Sequence, residues 1–116
     1  MPKRTALPAR FVHFTEEYPD VAFAYEKMGT AVHGAGPLTH KERLLVKVAL
    51  AVGARLEGGA HAQVRKALEI GITGDELRHV ALLAIPTIGF PASMAAMSWI
   101  DDVAGAAPKR KRKARR

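Results

Sequence analysis

Glu57 and His61 are the two residues whose types and spacing best suit proton-transfer chemistry. They are four positions apart, so on an α-helix they lie on one side and their side chains can meet. A carboxylate beside an imidazole orients the ring and favours its protonated form, which suits a general acid or base. The same spacing is also typical of a surface ion pair that stabilises a helix by about 0.3 kcal/mol. We predict that His61 and Glu57 are catalytic, and the surface ion pair is the alternative.

Gln63 and Arg65 follow on the same predicted helix and are the candidates for binding a substrate. A glutamine can hydrogen-bond a carbonyl or a carboxylate, although about 200° of helix separates Gln63 from His61. The guanidinium of Arg65, or that of Arg55, can receive a carboxylate. For each of these residues the alternative is a structural or solvated side chain with no ligand.

Metal and thiol chemistry find little support in the composition. The sequence has no cysteine, which excludes disulfides, thiolate metal sites and cysteine nucleophiles. Its five histidines are scattered and form no H-x-x-x-H pair. We therefore expect no metal and no other cofactor.

The elements that must position these residues are helices. Apolar residues recur at helical spacing, and no segment alternates convincingly with the period of two that is typical of a strand. Thr39 and Glu42, and again Thr73 and Glu76, have the spacing of a capping box at a helix start. Pro86 should kink or end an apolar run. The pattern predicts an all-α antiparallel bundle of about six helices, over residues 7–18, 20–32, 39–53, 56–69, 73–84 and 91–103.

The net charge of +7 comes from the C-terminal end of the chain. Seven of the 18 Lys and Arg residues lie there, which leaves eleven basic and eleven acidic residues elsewhere. We expect residues 1–105 to form a single helical domain and residues 106–116 to form a disordered basic tail. The tail either stays solvated or binds polyanions such as nucleic acid without sequence specificity. The residues that would bind are Lys109, Arg110, Lys111, Arg112, Lys113, Arg115 and Arg116.

Three further features of the sequence indicate the cellular compartment of the protein. No apolar run reaches the length of about 18 residues that a transmembrane helix needs. The first ten residues lack the apolar segment of a signal peptide. Together with the lack of cysteine, these features predict a cytoplasmic protein with no membrane segment.

Four segments between residues 38 and 103 together resemble the carboxymuconolactone decarboxylase and alkylhydroperoxidase D-like family. These are Leu38-Thr39-His40-Lys41-Glu42-Arg43-Leu44-Leu45, Ala67-Leu68-Glu69-Ile70-Gly71-Ile72-Thr73, Glu76-Leu77, and Gly89-Phe90-Pro91 leading into Ala95-Ala96. The resemblance implies an all-helical fold that assembles as a homo-oligomer, commonly a trimer or a hexamer. It also implies a relative of a lyase that acts on a small carboxylate or lactone.

The sequence departs from the family's motifs where they carry chemistry. In the peroxidase branch the two redox cysteines correspond to Leu56 and Gly59, the motif's histidine to Gln63 and the relay glutamate to Leu44. Leucine and glycine cannot attack a peroxide, so we reject a thiol peroxidase. The decarboxylase branch also keeps a histidine at the position of Gln63, which leaves His61 as the candidate for proton transfer.

Two hypotheses follow from the sequence. One is a cofactor-free enzyme that acts on a small carboxylate or lactone by proton transfer. The other is a non-catalytic homo-oligomeric module whose basic tail binds polyanions. The sequence is compatible with an enzyme and with a binding module.

Overall fold

The computed structural model describes residues 8–106, and the basic segment from Lys109 to Arg116 lies outside them. Within residues 8–106 the chain forms seven helical segments and no strand. The predicted all-α fold is therefore confirmed, and the extra segment is the single turn α6. The helices are α1 Ala9–Glu17, α2 Pro19–His33, α3 His40–Gly53, α4 Glu57–Glu69, α5 Gly74–Leu83, α6 Ile85–Ile88 and α7 Phe90–Ala104.

The break between α5 and α6 comes from Pro86. Proline has no backbone N–H and its ring clashes with the preceding turn, so the apolar run cannot continue as one helix. α5 ends at Leu83, and Pro86 lies in the first turn of α6, where the missing N–H is tolerated. Gly89, with φ of 105°, then separates α6 from α7. The prediction that Pro86 would kink or end this run is confirmed.

The chain divides into two compact units, one up to Arg43 and the other from Leu44. In the second unit α4, α5 and α6 all pack against α7. Apolar side chains of α3, α4, α5 and α7 form one buried cluster. The buried Ser93 hydroxyl on α7 donates a hydrogen bond of 2.7 Å to the carbonyl of Ala81 on α5. Among the members of the apolar cluster, the fully buried residues with the largest side chains are Val48, Val64, Leu77 and Ile100.

The first unit is different, because none of the residues of α1 and α2 is buried. Large apolar side chains remain open to solvent on both helices. Apolar surface of this kind is a mark of association with another molecule. The most exposed of these side chains are Val21, Phe23, Tyr25, Met28 and Val32 of α2, and Tyr18 between the two helices is also exposed. Across residues 8–106, no helix combines the length and the apolar character that crossing a membrane requires.

The end of α4 is determined by Gly71. Its φ of 93° is in the left-handed region, which glycine adopts without steric penalty. This conformation lets the N–H of Ile72 donate to the carbonyl of Ala67 at 3.0 Å. The N–H of Gly71 donates to Leu68 at 3.1 Å, which completes a Schellman motif.

The end of α3 has the same turn, with an arginine at the left-handed position. The N–H of Leu56 donates to the carbonyl of Ala51 at 2.9 Å, and Arg55 has φ of 62°. A Cβ in this region destabilises the chain by roughly 1 kcal/mol. The turn fixes the start of α4 and therefore the place of Glu57.

Both predicted capping boxes are present. Thr39 N–H donates to the Glu42 carboxylate at 2.8 Å, and Glu42 N–H donates to the Thr39 hydroxyl at 3.1 Å. The corresponding distances between Thr73 and Glu76 are 2.9 and 3.1 Å. Each box satisfies two backbone donors that a helix start leaves without partners.

The Glu42 box predicts a specific dependence of stability on pH. The hydrogen bond from the Thr39 backbone, with a smaller contribution from its side chain, lowers the pKa of Glu42 below its ordinary value of 4.5. The folded state thus favours the charged form, and this stability is present above the ordinary pKa and lost as the pH falls through the lowered one. We expect the gap in unfolding free energy between the native chain and Glu42→Gln to narrow from about pH 6 to about pH 3. Urea unfolding over this range tests it, and a constant gap would contradict the role of the charge.

Candidate functional site

α4 and α7 bring three chemically active side chains together: Glu57, His61 and Asp102. Glu57 is the first residue of α4 and His61 lies one turn later, while Asp102 lies near the end of α7. One nitrogen or oxygen atom from each of the three lies within 4.8 Å of the other two. These groups combine an imidazole with two carboxylates, which is a set suited to proton transfer or to cation binding.

The hydrogen bond of the imidazole goes to Asp102. His61 Nε2 lies 3.0 Å from Asp102 Oδ2. Because an ionised carboxylate can only accept, Nε2 carries the hydrogen, and Nδ1 is left to exchange a proton with a ligand. Nδ1 has no hydrogen-bond partner within residues 8–106. The His61 side chain is 27% exposed, so the ring is partly shielded and still reachable from solvent.

Glu57 lies beside His61, as the spacing of four predicts, but it is not the hydrogen-bond partner of the ring. In the described part of the chain its carboxylate forms no hydrogen bond or ion pair with the imidazole. The partner that orients the ring is Asp102, which the sequence analysis missed. The two are 41 positions apart, and no local motif signals such a pairing.

Arg78 of α5 holds the end of α7 in place. Its Nε donates to Asp101 Oδ1 at 3.0 Å, and its Nη2 donates to the carbonyl of Gly105 at 2.6 Å. A Cβ at Gly74 would lie 2.8 Å from Arg78 Nη1, so the glycine leaves room for the guanidinium. Since Asp101 precedes Asp102, this network fixes the turn that presents Asp102 to His61.

Arg65 lies one turn beyond His61 on α4, on the side that also carries Glu57. It is half-buried, and no residue within 8–106 forms a hydrogen bond or an ion pair with its guanidinium. A cation in this position is available to an anionic ligand. Its predicted role in substrate binding remains a prediction.

Gln63 is placed less favourably. It lies about 200° around α4 from His61, as the helical periodicity requires. Its Oε1 atom is buried and has no hydrogen-bond partner among the described residues. A role for this amide in binding substrate at the His61 site therefore stays a prediction that the helix geometry does not favour.

Two glycines follow Glu57 and face different surroundings. A Cβ at Gly59 would lie 3.3 Å from the Cβ of Leu56 and 3.7 Å from that of Ala51, so this glycine permits close approach of the end of α3. A Cβ at Gly58 would meet no atom within 4 Å. Gly58 is three positions before His61, so the open space lies on the same side of the helix.

The different surroundings predict different effects of alanine. Gly58→Ala should raise the unfolding free energy by about 0.5 to 1 kcal/mol, because alanine favours the helix and nothing obstructs its methyl group. Gly59→Ala should bring little or no gain, since its methyl group crowds Leu56. Thermal unfolding of both variants tests the difference, and an equal gain in both would contradict the close contact at Gly59.

Comparison with known proteins adds one finding. The family model described as the carboxymuconolactone decarboxylase family matches residues 19–102, which is more than half of the chain. The matched region contains all three residues of the Glu57, His61 and Asp102 site. No curated protein and no solved structure gives a significant match to the chain.

Proposed function

The chain belongs to the carboxymuconolactone decarboxylase family, and on that premise we propose that it is a cofactor-free enzyme that transfers a proton to a small carboxylate or lactone. The observation that carries the proposal is the 3.0 Å hydrogen bond between His61 and Asp102, with Glu57 next to both. A histidine oriented by a carboxylate is a common arrangement for general acid–base catalysis.

The reaction that fits this arrangement is a lyase-type decarboxylation. The bond between the substrate carbon and its carboxylate breaks, carbon dioxide leaves, and the electron pair stays on the carbon as a dienolate. The imidazolium form of His61 gives its Nδ1 proton to that carbon and becomes the neutral ring, and a water molecule returns the proton and leaves as hydroxide. Asp102 holds the ring through Nε2, and the charges of Asp102 and Glu57 stabilise the protonated imidazole.

An anionic substrate needs a cation to bind beside the two carboxylates of this site. Glu57 and Asp102 repel a substrate carboxylate, and a nearby cation has to offset this repulsion. Arg65 is such a cation, because it lies one turn from His61 and no described residue pairs with it. We assign Arg65 to the substrate carboxylate.

The experiment that tests the proposal is a screen of small lactones and unsaturated carboxylates, followed by carbon dioxide release and by chromatography of the products. With a substrate found, Arg65→Gln should raise KM at least about tenfold for a substrate that bears a carboxylate. A neutral lactone has no carboxylate to lose, so it serves as a competitive inhibitor, and its inhibition constant should change little in Arg65→Gln. Lys66→Gln is the matched control, since it removes the same charge from the next, exposed position. The catalytic proposal fails if no compound of either class is turned over.

A second candidate function is suggested by the apolar side chains that α1 and α2 leave exposed. It is a non-catalytic homo-oligomer, a trimer or a hexamer, in which the basic tails of several subunits act together on a polyanion. Light scattering after size exclusion gives the subunit number. A chain ending at Pro108 should keep the oligomer and lose nucleic-acid binding, whose log–log salt slope should be about −6 in the full chain. Equal binding by the shortened chain would remove the tail from this function.

A further inference from the structure

We propose that Glu57, His61 and Asp102 also form a binding site for a divalent transition-metal ion such as Zn²⁺. The ligands come from two helices, with Glu57 and His61 on α4 and Asp102 on α7. Because α4 packs against α7, the backbone positions of all three are fixed before any ion binds. We expected no metal from the sequence because the five histidines are scattered and form no H-x-x-x-H pair.

The geometry is close to what zinc requires. Zinc binds imidazole nitrogen and carboxylate oxygen at about 2.0 to 2.2 Å, so neighbouring ligand atoms of a tetrahedral site are about 3.3 Å apart. Here the three ligand atoms lie within 4.8 Å of one another, and His61 Nε2 and Asp102 Oδ2 are 3.0 Å apart. Both carboxylates are exposed and can rotate about their side-chain bonds to close the remaining distance. A water molecule would complete the coordination.

Charge supplies an independent argument for a cation. Within residues 8–106 neither Glu57 nor Asp102 has a lysine or arginine partner. When His61 is neutral, the two carboxylates repel each other with no cation between them, and a divalent ion removes that repulsion. A Cβ at Gly58 would meet no atom within 4 Å, so the helix surface next to Glu57 is open. The imidazole favours zinc, nickel or cobalt over magnesium and calcium, which prefer sites made of oxygen ligands.

The metal site uses the residues of the proposed catalytic site and does not depend on the catalytic proposal. A zinc ion on Nε2 takes the place of the hydrogen there, and the neutral ring then carries its hydrogen on Nδ1. The hydrogen bond to Asp102 is lost, so the ring is no longer held for proton transfer. Zinc should therefore suppress turnover. Binding is measured without substrate, so failure of the catalytic proposal and failure of the metal site are distinguishable.

The test is isothermal titration of the full chain with zinc chloride, with magnesium chloride as the comparison. We expect one zinc per chain at this site and at least about tenfold weaker binding in His61→Ala, Asp102→Asn and Glu57→Gln. Circular dichroism of each variant shows whether it remains folded, and Asp102→Asn keeps the shape of the side chain if His61→Ala does not fold.

His40→Ala is the matched control, because it removes a histidine of the first unit whose ring lies 6.3 Å from that of His33. His40→Ala should leave the titration at the proposed site unchanged. The proposal is overturned if zinc does not bind, or if His61→Ala binds it as tightly as the native chain. Loss of binding in His40→Ala alone would likewise overturn it, since the ion would then lie elsewhere.

Discussion

Replacing His61 with alanine should lower kcat by about 10²- to 10⁴-fold on any substrate that the native chain converts, because the group that transfers the proton is lost. The melting temperature should fall by no more than about 5 °C. His61 is partly exposed and makes a single hydrogen bond to Asp102, which contributes about 0.5 to 1 kcal/mol at most. Steady-state kinetics and thermal unfolding of the same preparation measure both effects.

Asp102→Asn tests the charge of the Asp102 side chain while it keeps the shape of that side chain. The amide keeps the shape of the carboxylate but carries no charge to stabilise the protonated imidazole, and its NH₂ group favours the wrong tautomer. We expect kcat to fall while KM changes little, because Asp102 acts through His61. His79→Ala, on an exposed position of α5, is the control that should retain activity. If His61→Ala retained turnover, His61 would not be the group that transfers the proton.

The features that the sequence predicts well are those in which the interacting residues are close along the chain. Thr39 with Glu42 and Thr73 with Glu76 form the expected boxes because both partners lie within one turn. α4 ends at Glu69, as predicted, because Gly71 adopts a left-handed conformation that glycine reaches without steric penalty. These interactions need no knowledge of the tertiary structure, so their residue types and spacing are sufficient.

The same reasoning misses contacts that depend on how helices pack. His61 and Asp102 are 41 positions apart, and their meeting follows from the packing of α4 against α7. The i, i+4 spacing indicated Glu57 as the partner of His61. Glu57 does lie close to His61, but the hydrogen bond of the ring goes to Asp102. An acidic pair at positions 101 and 102 near the end of a helix is a weak signal, because such residues are common on solvated surfaces.

Arg78→Met should lower the unfolding free energy by about 2 kcal/mol and the melting temperature by roughly 10 °C. The Arg78 side chain is only 13% exposed, and its donors bind the Asp101 carboxylate and the carbonyl of Gly105. Methionine keeps the length of the side chain but leaves both acceptors without this partner. Urea and thermal unfolding measure the loss, and an unchanged stability would contradict the role of Arg78 in fixing the end of α7.

A double-mutant cycle shows which contact of Arg78 carries the effect. The pair with Asp101 should give a coupling energy above about 1 kcal/mol, because Asp101 is only 33% exposed. The pair with Asp75, 3.3 Å away and 60% exposed, should give less than about 0.5 kcal/mol because water screens it. Because Asp101 adjoins Asp102, Asp101→Asn should also weaken zinc binding by severalfold without removing any ligand. Equal coupling energies for the two aspartates would mean that the contact with Asp101 has no special role. The claim that Arg78 positions Asp102 beside His61 would then be wrong.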